Sequence, residues 1–249
     1  MKNFDLSIVV PIYNEAIFLP KLIDSIYQIK VSNELIKIEI IMINDGSTDN
    51  SSEICSKFAL KYSDVKFIDS KVNQGKGFAV QQGIAVASGN YILIQDSDLE
   101  YNPSDIPAMY NLVLSNNSMT AVYGSRVLGA RKYGSKILAV IGYPKNQSPL
   151  SYLFNKILTM IFYLRFHIWI SDLLTGYKLY PRELFHDWQP KTTGFETDHE
   201  ITIRLIHKGF TIKELPISFN PRTRKQGKKI GIKDAFLASR ILLMASKRA

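Results

Sequence analysis

Sulfur chemistry is almost closed to this chain. A single cysteine, Cys55, rules out an internal disulfide framework, and it falls in the helical pattern SSEICSKFALKY, where a buried structural thiol compatible with a reducing cytosol is expected. Histidines are scarce too. The four present leave no spaced ligand set for zinc, so His199 and His207 read as surface or packing residues. No uncharged apolar run reaches the ~20 residues of a membrane-crossing helix. The longest candidate, LSYLFNKILTMIFYLRFHIWI, is interrupted by Lys156 and Arg165. It reads as buried core or a subunit contact, or as a helix lying in a membrane interface with Tyr152 and Trp169 as anchors. At the N-terminus the apolar run of MKNFDLSIVVPIYNE breaks at Pro11, so no secretory signal is expected. Internal repeats and low-complexity tracts are missing. So are nucleic-acid reader motifs, which disfavours nucleic acid as a partner.

What is present fits one α/β domain with an appendage: 249 residues, 46% hydrophobic and 21% charged. Strand-like runs alternate with helical patterns in the manner of a parallel sheet: LSIVVPIY, IKIEIIMIND, VKFIDS, NYILIQ and TAVYGS, with helices between them. Gly129 to Pro149, rich in Gly, Lys and Tyr, reads as a mobile loop. The net charge of +9 is concentrated at the end of the chain, with nine Lys and Arg against one acid from Asn220 to Ala249. Such a tail suits a polyanion, an anionic membrane surface or a solvated basic face. The expected division is a catalytic domain over residues 1–230 and a basic amphipathic helix over 231–249, a membrane or partner contact.

The polar clusters fall at the ends of the strands, where ligands collect in open α/β sheets. In IQDSDLEYNP an apolar strand ends in Asp96, Asp98 and Glu100, while Asn102, Pro103 and Asp105 already supply the cap and first turn of the following helix. Two carboxylates two residues apart on a bending loop suit Mg²⁺ or Mn²⁺, hard cations that take one or two carboxylates and complete their shell with phosphate oxygens. Asp96 and Asp98, helped by Glu100, would hold a metal that offsets charge on a departing diphosphate. VVPIYNE places Pro11, Tyr13 and Glu15 at the end of the first strand. INDGSTDNS places Asp45 at the end of the second. Asp49 suffices to cap the helix there, leaving Asp45 surplus and available to a nucleobase N–H.

VVPIYNE, NDGSTD, NQGKG, DSDLE, GSR, TGYKLYPRELF and GFETDHEI stand in the order and spacing of glycosyltransferase family 2, and resemble the dolichyl- or polyprenyl-phosphate sugar synthases within it, over roughly Leu6 to Lys229. The resemblance implies a GT-A fold, a UDP- or GDP-sugar donor, a divalent metal and inversion at the sugar carbon. Pro11, Tyr13 and Glu15 match the nucleotide-binding start, Asp45 the nucleobase contact, Gly75 and Lys76 a loop near the nucleotide, and Asp96, Asp98 and Glu100 the metal site. Relatives often carry Gln where Glu100 stands. Arg126 matches a basic residue facing the acceptor phosphate, with Arg131 and Lys132 beside it. Asp172 aligns with an acid near the sugar, or serves as a cap or turn acid. NPRTRKQGKKI resembles a basic segment that folds over the diphosphate, offering Arg222, Arg224 and Lys228; relatives often carry an acid at the position of Gln226.

The expected activity is sugar transfer from a UDP- or GDP-sugar to a polyprenyl phosphate by a protein peripheral on the cytoplasmic face of a membrane, alone, as a homo-oligomer or with a membrane-anchoring partner. A phosphate acceptor is already ionised near neutral pH and needs no base. Transfer to a hydroxyl would need one, and Asp198, ahead of Glu196 and Glu200, is the candidate, against a plain helix-start charge. A binding module without catalysis is a reading that intact Asp96 and Asp98 oppose.

Overall fold

Strands β1 (Leu6–Ile12) and β2 (Ile38–Asp45) are buried along their whole length and pair in parallel. A strand covered on both faces must be apolar at successive positions, as Ile8, Val9 and Val10 are. Successive side chains point to opposite faces. Leu6, Ile8 and Val10 therefore join one core with α1 (Leu19–Ser32) and α4 (Ile106–Leu114), while Val9 joins the other with α3 (Lys76–Val86), α7 (Pro149–Phe166) and α8 (Thr197–His207). Truncating one of these buried Ile or Leu side chains to Ala would cost ~2–5 kcal/mol. The computed structural model describes residues 4–32, 36–134, 136–145, 147–222 and 240–241.

Seven strands form one sheet in the order β3-β2-β1-β4-β6-β5-β7, adding β3 (Val65–Ser70), β4 (Tyr91–Ile94), β5 (Thr120–Ser125), β6 (Lys178–Pro181) and β7 (Thr211–Pro216). Only β6 runs against its neighbours β4 and β5. Helix α2 (Ser51–Lys61) carries Cys55, which is buried; burial, then Asp69 and Asp49, push its thiol up to about 12, so it packs as an inert group. From β1 the chain moves outward through β2 and β3, then returns to place β4 on the other side of β1. The reversal leaves a crevice beyond the carboxyl ends of β1 and β4.

The five strands expected from the sequence are present, and α4 follows its cap as read: Asn102 accepts from the Ser104 N–H, Pro103–Asp105 make a 3₁₀ turn, and Ile106, Met109, Tyr110 and Val113 are buried. One expectation needs correction here. Gly129 to Pro149 is largely helical, in α5 (Arg126–Tyr133) and α6 (Lys136–Ile141). Helix α5 has no amphipathic period, and its start is set by Ser125, whose side chain accepts from the Leu128 N–H. The apolar segment after it is α7, which buries only one face. No helix among the described residues is long and apolar enough to cross a membrane. The expected helix at 231–249 lies outside the described residues apart from Arg240 and Ile241.

Candidate active site

Three loops meet in the crevice and are laced by their own polar groups. After β1, Asn14 takes a left-handed φ of 52° and its side-chain oxygen accepts from the Thr48 N–H at 2.7 Å, while the Glu15 N–H donates to Ser51 Oγ at 3.0 Å. After β2, Asp45 accepts from the Gln74 N–H at 2.8 Å and the Gly75 N–H at 2.9 Å. Gly75 has φ 102°, and a Cβ there would lie 2.7 Å from the Thr193 carbonyl oxygen, so no other residue fits. After β4, Ser97 Oγ donates to the Pro11 carbonyl at 3.0 Å, tying the acidic loop to β1; Leu99 is left-handed at φ 59°. The cavity between the loops measures about 320 Å³ and is lined by Pro11, Tyr13, Glu15, Asp45, Gly75, Lys76, Asp96, Asp98, Glu100 and Arg222.

Asp45 was expected to be surplus to local structure. It is not: its carboxylate holds the loop that starts α3. Each carboxylate oxygen has a second lone pair, so a nucleobase contact stays chemically open. Asp49 does serve the start of α2, accepting from the Ser51 N–H at 3.0 Å.

Acids converge at the floor of the cavity, and the protein answers them with its own cations. Lys76, at the first position of α3, pairs with Asp96. Burial opposes its charge, but Asp96 outweighs that and holds the ammonium above its ordinary value. Arg222 reaches back from beyond β7, its guanidinium 3.0 Å from Glu15 and 2.9 Å from Asp98, and its N–H 2.8 Å from Glu100 Oε1. Asp98 is pushed up to about 6 by burial, then by Asp96 and Glu100, against the pull of Arg222. Four carboxylates with too little positive charge are a hard-oxygen donor set suited to Mg²⁺ or Mn²⁺. These are the oxygens such an ion would take in exchange for Lys76 and Arg222. With those cations in place, no group of three or more His, Cys, Asp or Glu among the described residues is arranged to hold a metal.

Other expected residues lie elsewhere. Arg126 and Asp172 are brought together: Asp172 is wholly buried and accepts from Arg126 Nε and Nη2, both at 2.7 Å, from the Arg126 N–H at 2.9 Å and from Asn155 Nδ2 at 2.8 Å. Despite burial, Arg126 holds the Asp172 carboxyl below its usual range. The guanidinium also lies over the Phe219 ring, 5.2 Å from its centre. Asp198, in the first turn of α8, is gripped by the buried Lys178 at 2.6 Å. Glu200 is spent on Trp188, Lys191 and Thr192. Arg131 and Lys132 are exposed on the last turn of α5, and neither lines the donor cavity. Arg224 and Lys228 lie outside the described residues. His199 is a packing residue, buried with its imidazole driven down to about 4 by burial, then by Lys178; the sequence gives no zinc set around it.

Sequence reasoning missed four positioning residues. Tyr101, stacked on Tyr177 at 5.1 Å, accepts from the Gly176 N–H and is buried within reach of the charges of Arg126, Asp96 and Asp172. Lys178 fixes Asp198; Asn155 and Glu214 hold the Asp172 loop, Glu214 by accepting from the Ser171 N–H at 2.7 Å. The one available signal was Lys178 itself, a lysine inside the apolar run of a strand.

Known proteins resemble this chain in sequence and in fold. A dolichyl-phosphate beta-glucosyltransferase of Saccharomyces cerevisiae is 34% identical over 227 residues, covering 86% of this chain and 66% of the yeast protein. One from Trichomonas vaginalis is 30% identical, covering 86% of this chain and 65% of its own length. The chain thus spans about two thirds of these relatives. Among solved structures, glucosyl-3-phosphoglycerate synthase from Mycobacterium tuberculosis, in complex with Mg²⁺ and uridine diphosphate, superposes with a TM-score of 0.61 at 18% identity, over 96% of this chain and 77% of that one. The family profile described as "Glycosyl transferase family 2" matches residues 7–188, which takes in the crevice loops, the acid cluster and the Arg126–Asp172 pair. This chain belongs to glycosyltransferase family 2.

Proposed function

We propose that this protein transfers a sugar, with inversion, from a UDP- or GDP-sugar to a polyprenyl phosphate at the cytoplasmic face of a membrane. The observation that carries the reading is the cluster of Glu15, Asp96, Asp98 and Glu100 paired with Lys76 and Arg222 in the lining of one cavity. Such a floor suits a diphosphate: Lys76 and Arg222 leave their carboxylates for phosphate oxygens, and the carboxylates become free for Mg²⁺ or Mn²⁺. The metal would supply charge stabilisation to the departing diphosphate. An acceptor phosphate oxygen attacks the sugar carbon in line, a new C–O bond forms as the bond to the diphosphate breaks, and the electron pair leaves with the nucleoside diphosphate.

The dolichyl-phosphate relatives support a lipid phosphate as acceptor. So does Asp198, whose Oδ2 is engaged by Lys178, leaving it poorly placed to take a hydroxyl proton. Arg126 is the cation at the acceptor side, held ready by Asp172. The test is release of UDP or GDP from a donor panel, with and without a short polyprenyl phosphate. Acceptor-dependent release that stops in EDTA is expected; release that ignores the lipid phosphate but responds to a sugar alcohol, and fails in Asp198→Asn, would transfer the reading to a hydroxyl acceptor.

A further inference from the structure

Helix α7 has two faces, and both are committed to apolar or polar work that solvent does not explain. Its inner face buries Asn155, Leu158, Thr159 and Phe162. Its outermost face is also apolar: Leu150, Leu153, Ile157, Met160 and Leu164, between 47% and 63% exposed, at spacings of three, four, three and four residues. At 3.6 residues per turn these form one stripe on the side opposite the core. The patch continues at both ends. Tyr152 donates to the Ile141 carbonyl at 2.6 Å, joining α7 to exposed Val140 and Ile141, and Tyr163 packs edge-on against exposed Trp169 at 5.7 Å. Contiguous exposed apolar surface of this kind marks a contact site.

Charge decides the occupant. From Ile106 to Ser171 the chain has seven Lys and Arg and no Asp or Glu. Arg126 is buried on Asp172, but Arg131, Lys132 and Lys145 are exposed and Lys156 and Arg165 partly so. A second copy laid on this stripe would set cations against cations, with no acid on α7 to pair them. An anionic lipid surface meets both features at once, the apolar stripe in the acyl boundary and the cations at the headgroups.

We propose that the outer face of α7, with Val140, Ile141 and Trp169 at its ends, docks this protein on an anionic bilayer. The stripe itself is independent of the acceptor, but its purpose rests on the lipid-phosphate reading above. The inner side of the same helix holds Asp172 through Asn155, so docking sets the Arg126–Asp172 pair about one helix diameter, ~10 Å, from the lipid.

The experiment is sedimentation of the full chain with vesicles of phosphatidylcholine, with and without phosphatidylglycerol, at low and high salt. Wild type should bind the anionic vesicles and be released by salt. The pair Leu153→Glu and Ile157→Glu should weaken binding at least ~10-fold. Leu60→Glu, a still more exposed leucine on α2, should bind as wild type. Leu164→Glu serves as a second variant should the pair lower the melting temperature. Undiminished binding by the α7 variants would overturn the proposal, since the terminal basic segment would then suffice. A dimer that the variants dissociate, with no vesicle binding by wild type, would overturn it as well. Transfer to a water-soluble short polyprenyl phosphate, assayed without vesicles, reads the acceptor alone: its failure in wild type would sink the proposed function and leave the docking face standing.

Discussion

Replacing Asp45 by Ala should damage stability and donor binding together. Its carboxylate is 3% exposed and is the acceptor for two backbone N–H groups, those of Gln74 and Gly75, about thirty residues along the chain. A hydrogen bond to a charged group is worth ~1.5–3 kcal/mol and less where the donor is only partly buried, as these two are, so the pair amounts to about 2–4 kcal/mol. For a domain of this size that lowers the melting temperature by on the order of 10 °C. The same bonds seat Gly75 against Thr193 and so place Lys76 over Asp96; without them the cation that answers the diphosphate loses its position. Asp45→Asn should not rescue, because its NH₂ would face an N–H donor. Thermal denaturation and calorimetry with UDP and GDP check both effects. A melting temperature equal to wild type would refute the structural half, and unchanged nucleotide affinity in a destabilised variant would refute the link to the donor.

Asp98→Asn and Asp96→Asn should each abolish transfer; Asp98→Asn should leave the melting temperature equal or higher, because it relieves repulsion in the acid cluster, and a fall in stability with activity intact would contradict this. Asp172→Ala should cost ~3–5 kcal/mol by leaving Arg126 buried and unpaired, and the double change Arg126→Met with Asp172→Leu should cost less than the sum of the singles in urea denaturation. His199 is neutral in the fold, its pKa about 4 against 6.5 when free, so the unfolded chain binds the extra proton between those values; stability from this group is complete above about pH 6.5 and lost as pH falls toward 4, by roughly 3 kcal/mol. Asp98 titrates in the same window with the opposite sign, so the check is the difference between wild type and His199→Gln across pH 4 to 7.

Much of the fold was legible because parallel buried strands are runs of Ile and Val, and because helices such as α4 carry their caps in the sequence. Strand β6 was not: four residues, Lys178–Pro181, with a buried lysine and a terminal proline, acquire strand character from β4 and β5 on either side. The α5–α6 region was misread because α5 lacks an apolar face, and composition rich in Gly and Lys resembles a loop. At the site, the residues gathered in the donor cavity follow from strand ends, which sequence order reveals. What stayed hidden was pairing at long range. Arg126 and Asp172 are 46 residues apart, Arg222 and Glu15 are 207 apart, and only the folded sheet makes each the other's counter-charge.

The acid cluster is expected to activate a nucleotide sugar toward a lipid phosphate. Mass spectrometry of the lipid fraction after incubation with a panel of UDP- and GDP-sugars, Mg²⁺ or Mn²⁺, and a short polyprenyl phosphate tests it most directly. The expected product is a polyprenyl phosphate heavier by one sugar, from one donor, absent in EDTA and in Asp98→Asn. An unmodified lipid alongside glycosylated hydroxyl acceptors, or product formed equally by Asp98→Asn, would contradict it.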